Sequence, residues 1–99
     1  MTTPCSLQSL RAVTLPRGVR LEWTEGEERE RPLASKWFIV RLRVDTGGRT
    51  SLEKTEFVPA THRVFVDGDL APGTYRYFVG GLNEAGSGPH RVLDVAVRG

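Results

Sequence analysis

The 99-residue chain contains one cysteine, Cys5. An internal disulfide is therefore excluded, and the fold must hold by packing alone. No histidine or basic cluster adjoins Cys5 in sequence, so nothing nearby activates the thiol. Lysine is scarce as well: among 14 Lys and Arg residues only Lys36 and Lys54 are lysines. Against 12 acidic residues this leaves a formal charge of +2, too weak a field for nucleic-acid binding. The arginine bias has two readings: a GC-rich coding sequence, which is preferred, or a carboxylate or phosphate partner held by bidentate contacts. No apolar run approaches the roughly 20 residues of a membrane helix, so membrane insertion is not expected. The first ten residues lack the basic start and long apolar stretch of a signal peptide. Two origins fit: a cytoplasmic chain, or a module excised from a longer protein, extracellular if that parent is secreted. The excised module is the preferred reading. Heptads, internal repeats and low-complexity blocks are also missing.

Reactive constellations are equally sparse. His62 and His90 stand far apart, and with one cysteine they make no zinc set of usual spacing. Asp67-Gly68-Asp69 lacks the longer acidic pattern of a calcium loop and reads as a turn. Glu27, Glu28 and Glu30 are a solvated charge run. Ser51, Thr61 and Ser87 have no recognisable base beside them. No glycine-rich phosphate cradle is present. Accordingly no catalytic residue, metal ligand or cofactor is assigned, and an enzyme is not expected.

What the chain does contain is turn signals separating short runs of period two, the mark of an all-β sandwich. Residues 4–12 read as a first edge strand, with Leu7, Leu10 and Ala12 as core contacts. Pro16-Arg17-Gly18 is a turn. Val19, Leu21 and Trp23 alternate with Arg20 and Glu22, a strand with one wet face. Residues 24–35 are a polar loop. In the third strand, Lys36 to Val44, Arg41 and Arg43 are expected to face water, because an unpaired buried charge is costly. Alternation then points Phe38, Val40, Leu42 and Val44 inward, and Trp37 and Ile39 outward. Asp45-Thr-Gly-Gly48 is a turn. Residues 49–58 read as a weaker strand crossing to the other sheet. In residues 63–67, Val64 and Val66 are read as inward and Phe65 as outward. Tyr75, Tyr77 and Val79 follow the Pro72-Gly73 turn. A turn cluster, Asn83 to Pro89, leads to a last strand, residues 91–98, with Leu93, Val95 and Val97 on one face.

A tyrosine opening such a strand can return its hydroxyl to the preceding backbone, the tyrosine corner of β-sandwiches. Pro4, Leu7, Ala12, Leu21, Trp23, Leu70, Pro72, Gly73, Tyr75, Val79, Asn83, Gly86 and Pro89 together resemble a fibronectin type III domain. The resemblance runs from Pro4 to Val97. It implies a seven-stranded antiparallel β-sandwich of immunoglobulin-like, fibronectin type III topology, with residues 1–99 forming one module of a larger protein. It implies a non-catalytic interaction or spacer role, with a protein partner or neighbouring domains. Gly80 and Gly81 depart from the family's small alkyl residues and mark a bulge or a close backbone approach. The E–F segment, Val66 to Leu70, is a residue longer than usual. No Arg-Gly-Asp tripeptide occupies the F–G loop, so integrin adhesion of that kind is not supported.

In this topology the third and sixth strands are neighbours. The expected phases bring Trp37, Ile39, Arg41, Arg43, Arg76 and Phe78 onto one outward face. Aromatic and arginine side chains are enriched at binding hot spots, so these six are the candidate partner-binding residues. A carbohydrate- or ligand-binding accessory module, stacking sugars on Trp37 and Phe78, is the alternative.

Overall fold

The computed structural model describes Pro4, residues 7–26 and residues 34–98. Cys5 and most of the polar stretch 24–35 lie outside the described residues. The strands are β1 (Leu7–Leu15), β2 (Gly18–Glu25), β3 (Lys36–Val44), β4 (Thr50–Pro59), β5 (Val64–Asp67), β6 (Gly73–Asn83) and β7 (Gly86–Val97). They pair as two antiparallel sheets, ordered β1-β2-β5 and β4-β3-β6-β7. No helix occurs among the described residues. The all-β, seven-stranded sandwich is thus the architecture, with β3 and β6 adjacent as expected.

Turn chemistry explains the reversals. At Pro16-Arg17 the left-handed residue is Arg17, at φ 57°. Gly18 serves a different purpose: a Cβ there would stand 2.7 Å from the Asp67 carbonyl oxygen, so only glycine lets β2 lie this close to β5. In the β3–β4 turn Asp45 Oδ1 accepts from the Gly47 and Arg49 amides, both at 2.9 Å. Between β6 and β7, Asn83 pairs with Gly86, leaving a two-residue turn. The expected Asn83–Pro89 loop is instead the tip of a hairpin, and β7 starts at Gly86 rather than residue 91.

The core lies between the sheets. Val19, Leu21 and Trp23 enter from β2, and Tyr75, Tyr77 and Val79 from β6, as read from the sequence. Leu7, Leu70, Val95 and Val97 join them, with Leu10, Ala12 and Leu93 partly buried against them. The Tyr75 hydroxyl donates to the Ala71 carbonyl at 2.6 Å, closing the tyrosine corner. Trp23 packs edge-on against Trp37, ring centroids 6.2 Å apart.

Three expectations are corrected. The first is β4, which stays with β3 as an edge hairpin; β5 is the strand that crosses to the other sheet. The second is the phase of β5. Phe65 packs on the core and Asp67 is buried, while Val64 and Val66 are exposed. The third is β3. Trp37 and Ile39 are fully buried, whereas Phe38, Val40, Leu42 and Val44 sit on the outer side, half-buried. Arg41 and Arg43 share the inner phase with Trp37. The assumption that failed was that a charge on the inner side would be unpaired. In the fold Arg41 meets a carboxylate and Arg43 reaches a backbone carbonyl, which removes the objection to their burial.

Candidate functional site

The β3 inversion splits the six candidate residues between two sides of one sheet. Trp37, Ile39, Arg41 and Arg43 look inward, so the expected exposed platform of Trp37 beside Phe78 does not form. Arg76 and Phe78 do lie on the outer face, where alternation on β6 put them.

On the inner side Ile39 is part of the buried core, and Trp37, Arg41 and Arg43 have polar partners. The Trp37 indole donates to the Ala60 carbonyl at 3.2 Å, and the Arg63 guanidinium lies over its ring at 5.2 Å. Arg63 also binds Glu25 at 3.1 Å. Arg41 projects from β3 to Asp67, on the opposite sheet. Its Nη1 contacts both carboxylate oxygens at 2.8 Å. The Tyr77 hydroxyl donates to Asp67 Oδ2 at 2.7 Å. Asp67 is only 2% exposed and the Arg41 side chain 16%. Burial, reinforced by the Asp67 hydrogen bond and charge, pushes Tyr77 ionisation well above the ordinary phenol range. Burial alone would lower the Arg41 pKa; Asp67, with help from Glu53, raises it on balance. Arg43 lies over the Tyr75 ring and donates to the Pro72 carbonyl at 3.1 Å. Arg41, Asp67 and Tyr77 rivet the two sheets, whereas Arg43 borders an open depression of about 430 Å³ at the β3–β4 turn, together with Asp45, Pro72 and Thr74.

The outer side is different. Directly paired residues share a face, so the strand registers define its rows. Phe57, Phe38, Gly80 and His90 form one row. Thr55, Val40, Phe78 and Val92 form the next. Beyond a bulge at Glu53 come Leu52, Leu42, Arg76 and Asp94. Leu52 is 66%, Phe57 55% and Val92 47% exposed. Charge on these three rows is confined to the row of Arg76, whose guanidinium forks onto Asp94 at 2.8 and 3.1 Å. That hydrogen bond holds Asp94 below the usual carboxylate range and Arg76 above its own. Phe78 packs against His90, with centroids 5.2 Å apart.

The adjacent glycines fit this face and its reverse. A Cβ on Gly80 would strike the Phe38 ring, at 2.6 Å from Cζ. One on Gly81 would meet Ala34, Trp37 and Pro4, at 2.9 to 3.2 Å. Phe38 thus lies across β6 from outside while Trp37 approaches from inside. The register shift between Gly80 and Leu82 places a bulge here, as the glycine pair led us to expect.

The sequence reading missed Phe38, Val40, Leu42, Leu52, Phe57 and Val92 as surface candidates. For Phe38, Val40 and Leu42 the signal was present as alternation in β3, but alternation gives two faces without saying which is wet. Leu52, Phe57 and Val92 join that face only through the pairing of β4 and β7 into the sheet. No group of three or more His, Cys, Asp or Glu residues that could hold a metal occurs among the described residues. A depression of about 510 Å³ at the Pro16 end is lined by Thr14, Leu15, Pro16, Ala96 and Arg98. Its single ionisable side chain supplies no acid–base pair.

No family model matches the sequence, and no curated relative matches it. Solved structures do resemble the fold. The FN5 domain of Drosophila Lar is 20% identical with a TM-score of 0.75, the match covering 98% of this chain and 99% of that one. The third fibronectin III domain of human KIAA0343 is 17% identical with a TM-score of 0.74, covering 98% and 86%. The FN1–FN3 domains of chicken CNTN1 are 18% identical with a TM-score of 0.75, covering 95% of this chain and 32% of that one. Strand order, tyrosine corner and these likenesses agree: the chain has the fold of a fibronectin type III domain.

Proposed function

We propose that this chain is a non-catalytic interaction or spacer module of a larger multidomain protein, and that it makes protein contacts through the outer face of the four-stranded sheet. The observation that carries the reading is the exposure of Leu52, Phe57 and Val92 on one sheet face, in rows shared with Phe38, Val40, Leu42 and Phe78. Contiguous exposed apolar surface on a soluble fold marks a contact site more often than chance scatter does. Domains of this fold are typically modules of multidomain proteins, and the CNTN1 structure holds three in one chain. Of the candidate residues read from the sequence, Arg76 and Phe78 belong to this contact surface. Arg41, Arg43, Trp37 and Ile39 support it from behind.

Protein fits the face better than sugar. Carbohydrate sites set polar groups around a stacking ring. Here the rings are phenylalanines, and Arg76 and Asp94 satisfy each other. The test uses the immobilised domain beside its Leu52→Glu/Phe57→Glu variant. Partner protein is expected to be retained by the first and released by the second. Equal retention by both, or retention only of polysaccharide in a parallel pull-down, overturns the reading.

A further inference from the structure

We infer that the occupant of this face is a second copy of the same chain, packed sheet to sheet. The inference rests on the reading of the face as a protein contact surface and names its partner.

Size is the first argument. Strands lie about 4.8 Å apart and rise about 3.3 Å per residue. Four strands and the nine residues of β3 therefore make a footprint of roughly 19 by 30 Å. Relief from the protruding Leu52, Phe57 and Val92 side chains adds to that flat area. The flat area alone, roughly 570 Å² per partner, lies below the ~800 Å² of a standard specific interface and within the range of weak, transient association.

Self-complementarity is the second. A twofold contact requires that each residue meet its counterpart reciprocally. Take an axis lying in the face, across the strands, along the row Thr55, Val40, Phe78 and Val92. The rotation exchanges the two flanking rows. Phe57 of one copy then faces Leu52 of the other, and Phe38 faces Leu42. On β7, His90 faces Asp94 of the second copy, so the acidic position meets a ring that can donate to it. Arg76 lands over Gly80, the position without a side chain. No like charges oppose each other in this arrangement. Two sheets packed this way are kept near alignment by their twist, at about 30°.

Composition is the third. The flanking edges carry Lys36, which lies over the Phe57 ring at 5.2 Å, and the paired Arg76 and Asp94. This is too little cationic charge to select an anionic lipid surface.

Sedimentation velocity on the whole chain from about 1 µM to about 1 mM tests the inference, a range spanning typical weak to moderate association. The expected result is a monomer–dimer equilibrium, weakened about tenfold or more by Leu52→Glu with an unchanged circular dichroism spectrum. Geometry is read separately by cross-linking in a Cys5→Ser background. Phe57→Cys mixed with Leu52→Cys is expected to form an intermolecular disulfide faster than either variant alone. The inference is overturned by a chain monomeric throughout that range, by association that Leu52→Glu leaves intact, or by faster like-with-like cross-linking. A monomeric chain whose retained partner protein is still lost on Leu52→Glu would sink the second copy while leaving the contact surface standing.

Discussion

The two sides of β3 reverse the usual assignment of charge and alkyl surface. Its inner side carries Trp37, Ile39, Arg41 and Arg43; its outer side carries Lys36, Phe38, Val40, Leu42 and Val44. Two arginines point inward while four apolar side chains face out. The difference shows that a charge is kept out of a core by lack of a partner, not by charge itself. Asp67 supplies that partner from the opposite sheet, and the Tyr77 hydroxyl beside Arg41 donates to the same carboxylate. Once the arginines are accommodated, alternation obliges the alkyl residues to line the opposite surface.

The sharpest way to break this arrangement is to remove the partner. Asp67→Ala leaves Arg41 with the more exposed Glu53 alone and takes the acceptor from the buried Tyr77 hydroxyl. It is expected to cost about 3 kcal/mol in denaturant unfolding, since removing one member of a buried ion pair is strongly destabilising. Pairing it with Arg41→Met should recover much of the loss, and a double-mutant cycle measures how much. If Asp67→Ala is nearly neutral, the inward phase of Arg41 is not what organises the strand.

The adjacent glycines separate the two sides at a single point of β6. Gly81→Ala drives a methyl group against Ala34, Trp37 and Pro4 and is expected to destabilise by about 2 kcal/mol through overpacking. Gly80→Ala meets the end of the Phe38 ring, which can swing outward, and should cost less. Thermal unfolding of the two variants side by side orders them; the reverse order would contradict the packing of Phe38 over the outer face.

Alkaline titration probes the inner cluster without deleting it. The Tyr77 proton is held in the fold by burial and then by Asp67. The unfolded chain releases it near pH 10, so above that value the unfolded state binds fewer protons than the native state. The stabilisation is complete below about pH 10 and declines as pH rises further. Unfolding midpoints across that range should fall less steeply for Tyr77→Phe than for the wild type, and parallel curves would contradict the buried phenol. Tyr75→Phe removes a different hydroxyl, the 2.6 Å corner bond to Ala71, with an expected loss of about 1 kcal/mol.

The smallest stability effect belongs to the outer side. Leu52→Ser alters a side chain 66% exposed and should change unfolding free energy by no more than about 0.5 kcal/mol. A larger loss in the isolated monomer would mean that the outer row is part of the folding core.

By itself the sequence determined most of the turns, that the chain folds as strands, and which residues of β2, β6 and the end of β7 face inward; the tight turn between β6 and β7 it placed too broadly. Trp23, Tyr75, Tyr77, Val79 and Val95 were legible because each sits in a strand whose other face is polar or whose corner is marked by Pro72-Gly73. The wet side of β3 was decided only by tertiary structure. Its two alternating sets are both plausible interiors until a residue from another sheet is placed, and Asp67 stands 26 positions away from Arg41. The same holds for β5, where Phe65 and Asp67 share the inner side against the reading from Val64 and Val66. Period-two alternation is a local property of the backbone. Choosing between its two phases is a matter of partners, and partners come from distant segments.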